Sequence, residues 1–462
     1  MSAYRPTIGL EIHAELKTRT KMFCDCRNDP DEKEVNTHVC PICLAHPGTL
    51  PTANKEAVRH VLRVGTAVGG TLANYTEFDR KSYFYPDIPK GYQISQYERP
   101  LISGGELSGV QITRIHLEED TARSTHAEDS SLVDFNRAGV PLMELVTEPV
   151  IHDAKTAANF ARDLQLLLRT LGASDANLEK GEMRVEANIS VSKGEELGTK
   201  VEVKNLNSFR SVERAIAHEV ERQITILEKG EAIVQATRGW DEDKQQTFHQ
   251  RSKEGSADYR YFPEPDLPKL KLSELSEFSS ETLRASLPEL PWERIARYER
   301  EFNLKPSDSL FIVSDLDRIV FMDRVFALTE NERERELSVN YFVSDLAGTP
   351  GKVMPEAYIA LMHLAATNVL SSRGVKEVLG IMTVNGGEPE EIAKEKNLMQ
   401  ISNKEDLRAA MEKVLKEHAV VVAQYKEGKE TSLQFLIGQG MKATKGAGNP
   451  AVIKELVEEL CR

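Results

Sequence analysis

The sequence predicts an α+β protein, with a mixed α/β domain over residues 1–292, an all-α domain over 293–400 and a small all-α tail over 401–462. Three observations lead there. Strands of alternating polarity and amphipathic helices share the first part of the chain, prolines crowd residues 263–291, and strand patterns nearly vanish beyond them.

In IGLEIHAEL (8–16), Ile8, Leu10, Ile12, Ala14 and Leu16 point one way and Glu11, His13 and Glu15 the other, as in a half-buried strand. RIHLEED (114–120) reads as a second strand that ends in acid. The helix expected over 154–171 carries Phe160, Leu164, Leu167, Leu168 and Leu171, with Asp153 as its cap and Gly172 as its stop. Residues 183–191 alternate again, setting Met183, Val185, Ala187, Ile189 and Val191 against Arg184, Glu186, Asn188 and Ser190. KVEVK (200–204) puts Lys200, Glu202 and Lys204 on one face. A second helix, over 209–229, lies between Ser208 and Gly230. Past the prolines, residues 353–372 form a helical stripe through Tyr358, Leu361, Met362, Ala365 and Val369. The last helix starts at Asn449-Pro450 and buries Val452, Ile453, Leu456, Val457 and Leu460.

Composition narrows the function. At about 150 residues per domain, 462 residues allow about three domains. A charged fraction of 29% and a mean hydropathy of −0.41 fit a globular chain. No apolar run reaches the length of a membrane helix. Met1 to Pro6 has no leader-like pattern, so a cytoplasmic protein is expected. The net charge of −14 argues against a protein that coats nucleic acid non-specifically. The tail, with 10 basic and 9 acidic residues, escapes that excess.

Four of the five cysteines cluster as C-x-C-x13-C-P-x-C: Cys24, Cys26, Cys40 and Cys43. Two short-spaced thiol pairs fit one tetrahedral Zn²⁺, and four thiolates leave no open position for water, so a structural zinc is expected. Glu11 and His13, at i and i+2 of a strand, can reach one ion together. With the acidic run Glu118, Glu119, Asp120 they suit Mg²⁺ or Mn²⁺, although alternation does not choose between Glu118 and Glu119. Solvated charges at a strand end are the plainer reading of the same residues. Residues 79–100 interleave Tyr83, Phe84, Tyr85, Tyr92 and Tyr97 with Arg80, Lys81 and Lys90, a pattern that suits a nucleotide base plus phosphate or an ordinary core strand. The loop expected over 438–450 combines Lys442 and Lys445 with four glycines and could hold RNA phosphates. Motifs for a phosphate-binding loop, a serine hydrolase or a zinc protease are missing from the sequence.

These segments, together with HPGTLP, FDRKSYFYPDIPKGYQISQ, DFNRAGVPLMELVTEP, KNLNSF, DYRYFPEPDLP and FLIGQGMKATKGAGNP, closely resemble the B subunit of the glutamine-dependent aspartyl/glutamyl-tRNA amidotransferase. The resemblance implies a catalytic cradle (1–292), a helical domain and a tail that touches tRNA. It implies a ligase subunit that uses ATP to phosphorylate the side-chain carboxylate of Glu-tRNA(Gln) or Asp-tRNA(Asn). Ammonia from a glutaminase A subunit then amidates that carboxylate, and a small C subunit completes a heterotrimer.

By the same resemblance Glu11, His13 and Glu119 match metal-binding positions, so Glu119 is preferred to Glu118. Glu11, His13, Lys81, Glu119 and Glu186 form the implied catalytic set, and Arg80, Lys81 and Tyr83 face ATP. The four cysteines match the zinc set, and Lys442 and Lys445 face tRNA. Glu186 stands where Asp is usual, and Thr121-Ala122-Arg123 stands where Ala-Gly-Lys is usual. Gly440 replaces a bulkier apolar residue, which predicts a shorter helix there. A non-catalytic, zinc-stabilised tRNA scaffold is the rival reading. The archaeal glutamate-specific relative is less suited, because its extra insertion finds little room in this length.

Overall fold

The computed structural model describes residues 4–126, 129–194, 196–252, 259–400, 403–444 and 448–461. The chain divides into two compact units, Met1–Pro291 and Trp292–Arg462.

The first unit begins with β1 (Arg5–Glu15), α1 (Lys55–Ala67), β2 (Thr71–Leu72), β3 (Asp79–Ser82) and β4 (Tyr92–Ser95). There follow β5 (Ile102–Ser103), β6 (Glu106–Leu107), β7 (Val110–Glu119), β8 (Arg123–His126), β9 (Ser131–Asp134) and β10 (Pro141–Thr147). It continues with α2 (Ala154–Thr170), β11 (Met183–Ser192), β12 (Val201–Leu206), α3 (Phe209–Glu228), β13 (Ala236–Asp241), β14 (Gln246–Ser252) and β15 (Phe262–Pro263). Among the described residues one sheet runs β14-β13-β12-β11-β1-β10-β7-β5-β2, with β6 beside β7. Its pairs are antiparallel except β12–β13.

Period-two alternation decides what each face carries. Ile8, Leu10, Ile12, Leu145, Ile115, Leu117, Val185 and Ala187 pack with residues of α1, α2 and α3 in a common core. The opposite face of the same strands is polar. Asp153 caps α2 by accepting from Thr156 N at 2.8 Å, and Ser208 caps α3 by accepting from Ser211 N at 3.0 Å. Gly172 and Gly230 follow the two helices in the left-handed region, which glycine enters at no steric cost.

The predicted strands and helices of this unit are present, but β10 was not expected. PLMELVT is buried along most of its length, so it lacks the alternation that marks a half-buried strand.

Among the described residues, the named elements of the second unit are all helices. The helix predicted over 353–372 spans only Pro355–Ala366: Asn368 turns left-handed (φ 56°) and ends it. The last four helices, Lys404–Glu417, Ala419–Lys426, Glu430–Ala443 and Pro450–Leu460, enclose Leu407, Met411, Leu436, Ile453, Leu456 and Val457. Gly440 does not shorten its helix, contrary to expectation. A Cβ there would lie 2.5 Å from Met411 Sδ and 2.9 Å from Ile453 Cγ2, so glycine lets three helices close together.

Candidate active site and metal centres

Register builds the site on the polar face of the sheet. His13 of β1 stands opposite Glu144 of β10 and Arg184 of β11. Glu144 stands opposite His116 of β7, and Glu11 opposite Glu186 of β11. His13 Nε2 therefore lies 3.4 Å from Glu144, 3.5 Å from Glu118 and 4.0 Å from Glu11. His116 Nε2 lies 3.4 Å from the same Glu144 oxygen. Ser95 Oγ donates to Glu118 at 3.1 Å and holds it toward the group. These side chains floor a cleft of about 570 Å³ whose walls include Lys81, Tyr83, Glu186 and Lys204. That volume suits a nucleotide-sized ligand.

Crowded carboxylates make this floor hungry for positive charge. Burial, Glu144 and Glu186 push Glu11 up to about 7 despite His13 and Lys204. Burial disfavours the imidazolium of His13, but Glu144, Glu118 and Glu11 overcome it and raise the group to about 9. Burial likewise opposes the charge of Glu144, yet His116 and His13 hold it well below the carboxylate range. The Lys81 ammonium is buried but strongly favoured by Glu118, Tyr261 and Glu144. Ligand atoms of Glu11, His13 and Glu144 lie within 4.8 Å of one another, as do those of His116, Glu118 and Glu144 and those of Glu11, Glu186 and Glu202. The second ring nitrogens of His13 and His116 are buried without a hydrogen-bond partner. The donor set fits a hard divalent ion that keeps oxygen ligands, with imidazole at its edge.

The structure brings Glu11, His13, Lys81, Tyr83 and Glu186 to the cleft, Glu186 bonded to Lys204 Nζ at 2.6 Å. Two predicted residues are elsewhere. Glu119 points to the other side of β7, where Lys90 Nζ donates to it at 2.7 Å and Ile94 N at 2.9 Å. Consecutive strand residues face opposite ways, so Glu118 takes the place expected of Glu119. Arg80 likewise turns away from Lys81. Its guanidinium grips Glu264 at 2.7 and 2.8 Å and Asp266 at 3.0 Å, and lies 4.3 Å over the Tyr92 ring. It is committed to holding β3 against the β15 region rather than facing the cleft. Glu144, which the register places at the centre of this group, was not singled out because it sits inside an apolar run; a lone carboxylate in such a run is the signal that could have found it.

Next to the cleft, Arg184 donates to Asp120 at 3.0 and 3.1 Å. Burial raises Asp120, but Arg184 and Arg137 outweigh it and hold the group at about 2. Burial and that neighbouring charge push Glu15 up to about 8, and its proton bonds Asp120. Above pH 4.5 the unfolded chain releases this proton and the folded chain keeps it, so stability falls with rising pH until about 8. Glu15→Gln keeps an N–H donor for Asp120 without that penalty. It is expected to stabilise the protein by about 2–3 kcal/mol at pH 7 and to change little at pH 4, measured by denaturant unfolding.

The cysteines converge between β1 and α1. Cys43 Sγ lies 3.9 Å from Cys40 Sγ and 4.0 Å from Cys26 Sγ, and all four sulfurs lie within 4.8 Å of one another. Zinc–sulfur bonds of 2.3 Å in a tetrahedron require sulfurs about 3.8 Å apart. The cluster can therefore hold a metal ion. Cys40 N donates to Cys43 Sγ at 3.1 Å, and Lys21 Nζ lies 3.9 Å from it. A hydrogen bond from Cys24, working against burial and helped by Lys21, brings Cys43 down to about 5, while burial, Cys40 and Cys43 push Cys26 up to about 12 against a hydrogen bond from Cys24.

In the tail, Lys442 is exposed on the last turn of helix Glu430–Ala443. Gly438 and Gly440 lie within that helix, so their amides are not the open phosphate cradle expected of a loop. Lys445 lies outside the described residues.

Comparison with known proteins gives the same picture at the level of family. Residues 6–276 match the model of the GatB/GatE catalytic domain, and residues 334–461 match that of the GatB domain. A relative from Thermomicrobium roseum is 43% identical over 99% of this chain and 98% of its own length. Relatives from Persephonella marina (41% identical) and Thermus thermophilus (42%) also align with 99% of this chain, over 100% and 99% of their own lengths. All three are named as the B subunit of aspartyl/glutamyl-tRNA(Asn/Gln) amidotransferase. With both domain models matched in order and identity sustained from end to end, this chain belongs to the family of aspartyl/glutamyl-tRNA amidotransferase B subunits.

Proposed function

We propose that this chain carries the phosphorylation and amidation site of a heterotrimeric ligase that acts in the cytoplasm with a glutaminase A subunit and a small C subunit. Its substrates are ATP and Glu-tRNA(Gln), Asp-tRNA(Asn) or both. The observation that carries the reading is the convergence of Glu11, His13, Glu118 and Glu144 in one cleft with Lys81.

A carboxylate resists acyl substitution because oxide cannot leave. Its oxygen therefore attacks the γ-phosphorus of ATP and ADP departs. Ammonia next attacks the acyl carbon, phosphate leaves with the former carboxylate oxygen, and a base takes the surplus ammonium proton. Phosphoryl transfer asks a protein mainly to place charge, not to supply a nucleophile. Lys81 suits the phosphates because its ammonium is held charged by Glu118 and Glu144. Glu11, Glu118 and Glu144 are the carboxylates for Mg²⁺, with His13 at the edge of the set. Bound there, Mg²⁺ supplies charge neutralisation for the triphosphate. Tyr83 and Glu186 complete the walls, and Cys24, Cys26, Cys40 and Cys43 hold a structural Zn²⁺.

The test uses the assembled complex with its glutaminase inactivated. Given ATP, Mg²⁺, mischarged tRNA and ammonium chloride, it is expected to form Gln-tRNA or Asn-tRNA. An intact complex that binds tRNA but amidates nothing with ammonia would remove the site from this chain. The exposed Lys442 supports a tail contact with tRNA phosphates. Lys442→Ala combined with Lys445→Ala is expected to raise KM for tRNA more than it lowers kcat, and to flatten the salt dependence of binding by about one to two in slope.

A further inference from the structure

Aromatic rings that the proposed chemistry does not use gather at the cleft, and Tyr83, Tyr97, Tyr259 and Tyr261 line it. Tyr83 lines the wall and stacks on Tyr85 with centroids 5.3 Å apart and planes within 7°. Tyr97 stacks on Tyr261 at 4.5 Å and 17°, and Tyr259 meets Tyr261 edge-on at 6.1 Å. Phe84, Tyr85 and Tyr97 are 75%, 57% and 47% exposed. Two cations accompany them: Arg260, 5.9 Å from the Phe84 ring, and Lys81, 5.0 Å from the Tyr259 ring. Arg260 sits between the two tyrosines in the left-handed region (φ 44°), a conformation that an arginine adopts at a cost.

Large rings left in water beside a cleft mark a contact surface. Rings interleaved with cations suit a flexible single strand, whose bases stack while its phosphates meet the charges. ATP offers one base. Phe84 and Tyr85 lie beyond the residues that line the cleft, where a nucleotide bound inside has nothing left to place. The aminoacyl group sits on the 3′-terminal ribose of tRNA, so a carboxylate that reaches the cleft floor brings the unpaired 3′ end up against the cleft's surroundings. Resting on the proposed function, we infer that Phe84, Tyr85, Tyr97 and Arg260 form a stacking platform for the unpaired 3′ nucleotides of the tRNA substrate.

The experiment compares the parent complex with Phe84→Ala/Tyr85→Ala, using intact tRNA and tRNA trimmed of its unpaired 3′ nucleotides. The double variant is expected to weaken intact tRNA binding about tenfold and to raise KM for mischarged tRNA similarly. It should leave trimmed tRNA within about twofold and leave KM for ATP unchanged, since the rings meet only the unpaired end. The aromatic exchange Phe84→Tyr/Tyr85→Phe is expected to bind like the parent. Equal weakening of intact and trimmed tRNA, an unchanged affinity for both, or a raised KM for ATP in place of tRNA would each overturn the platform. A parent complex without amidation activity would fail the functional reading instead; an active parent with an indifferent double variant fails the platform alone.

Discussion

A Glu144→Gln variant, assembled with its partner subunits, is expected to lose about a thousandfold of its tRNA-dependent ATP hydrolysis while keeping its zinc and its affinity for tRNA. The substitution is nearly isosteric, so packing of β10 survives. What goes is the charge that faces His13 and His116, each 3.4 Å away, and Arg114 at 3.6 Å. Glutamine leaves those donors without their anion and, on the proposed function, removes a carboxylate offered to Mg²⁺. Glu118→Gln should behave alike, because Glu118 reaches His13 from the neighbouring side. Glu119→Gln is the contrast: it meets Lys90 and Ile94 on the opposite face, so Mg²⁺ affinity should stay within about threefold of the parent. A Mg²⁺ titration of ATP hydrolysis reads all three. Equal losses of Mg²⁺ affinity in Glu118→Gln and Glu119→Gln would contradict the assignment by face.

Cys43→Ser should have the largest effect on folding. It is expected to abolish stoichiometric zinc and to destabilise the first unit by on the order of 3 kcal/mol or more, because a closed thiolate site contributes its binding energy to the folded state. The damage should reach the cleft. The segment after β1 is tied to the start of β10 by Leu16 N to Pro141 O at 2.8 Å, Met22 N to Gly139 O at 2.7 Å and Lys21 Nζ to Phe135 O at 3.1 Å. Those ties position Glu144 against His13. Zinc analysis with thermal unfolding checks this, and chelation of the parent should reproduce the variant. A parent that keeps its melting temperature after complete zinc removal would contradict a structural role.

What could be read in the sequence followed the physical strength of each signal. Strand β1 was legible because one face is core and the other polar, and Glu11 and His13 came with it. The acidic pair on β7 was not, since both carboxylates are buried and only the register with β10 shows that Glu118 faces His13. Arg80 was misplaced because its partner Glu264 lies 184 residues away, beyond any local pattern. Glu144 was hidden by its own strand, whose burial erases the alternation that would have announced it. In the tail, glycine-rich composition suggested a loop where packing against Met411 and Ile453 keeps a helix. Local polarity was readable; facing and long-range pairing were not.

The most direct test of the central claim follows one oxygen atom. Mischarged Glu-tRNA is prepared with ¹⁸O in its side-chain carboxylate and given to the complex with ATP, Mg²⁺ and ammonia, the glutaminase being inactive. If the carboxylate attacks the γ-phosphorus, each turnover transfers one labelled oxygen to the released phosphate, and Glu144→Gln forms almost none of it. Inorganic phosphate that carries no ¹⁸O while Gln-tRNA accumulates would contradict activation by phosphorylation.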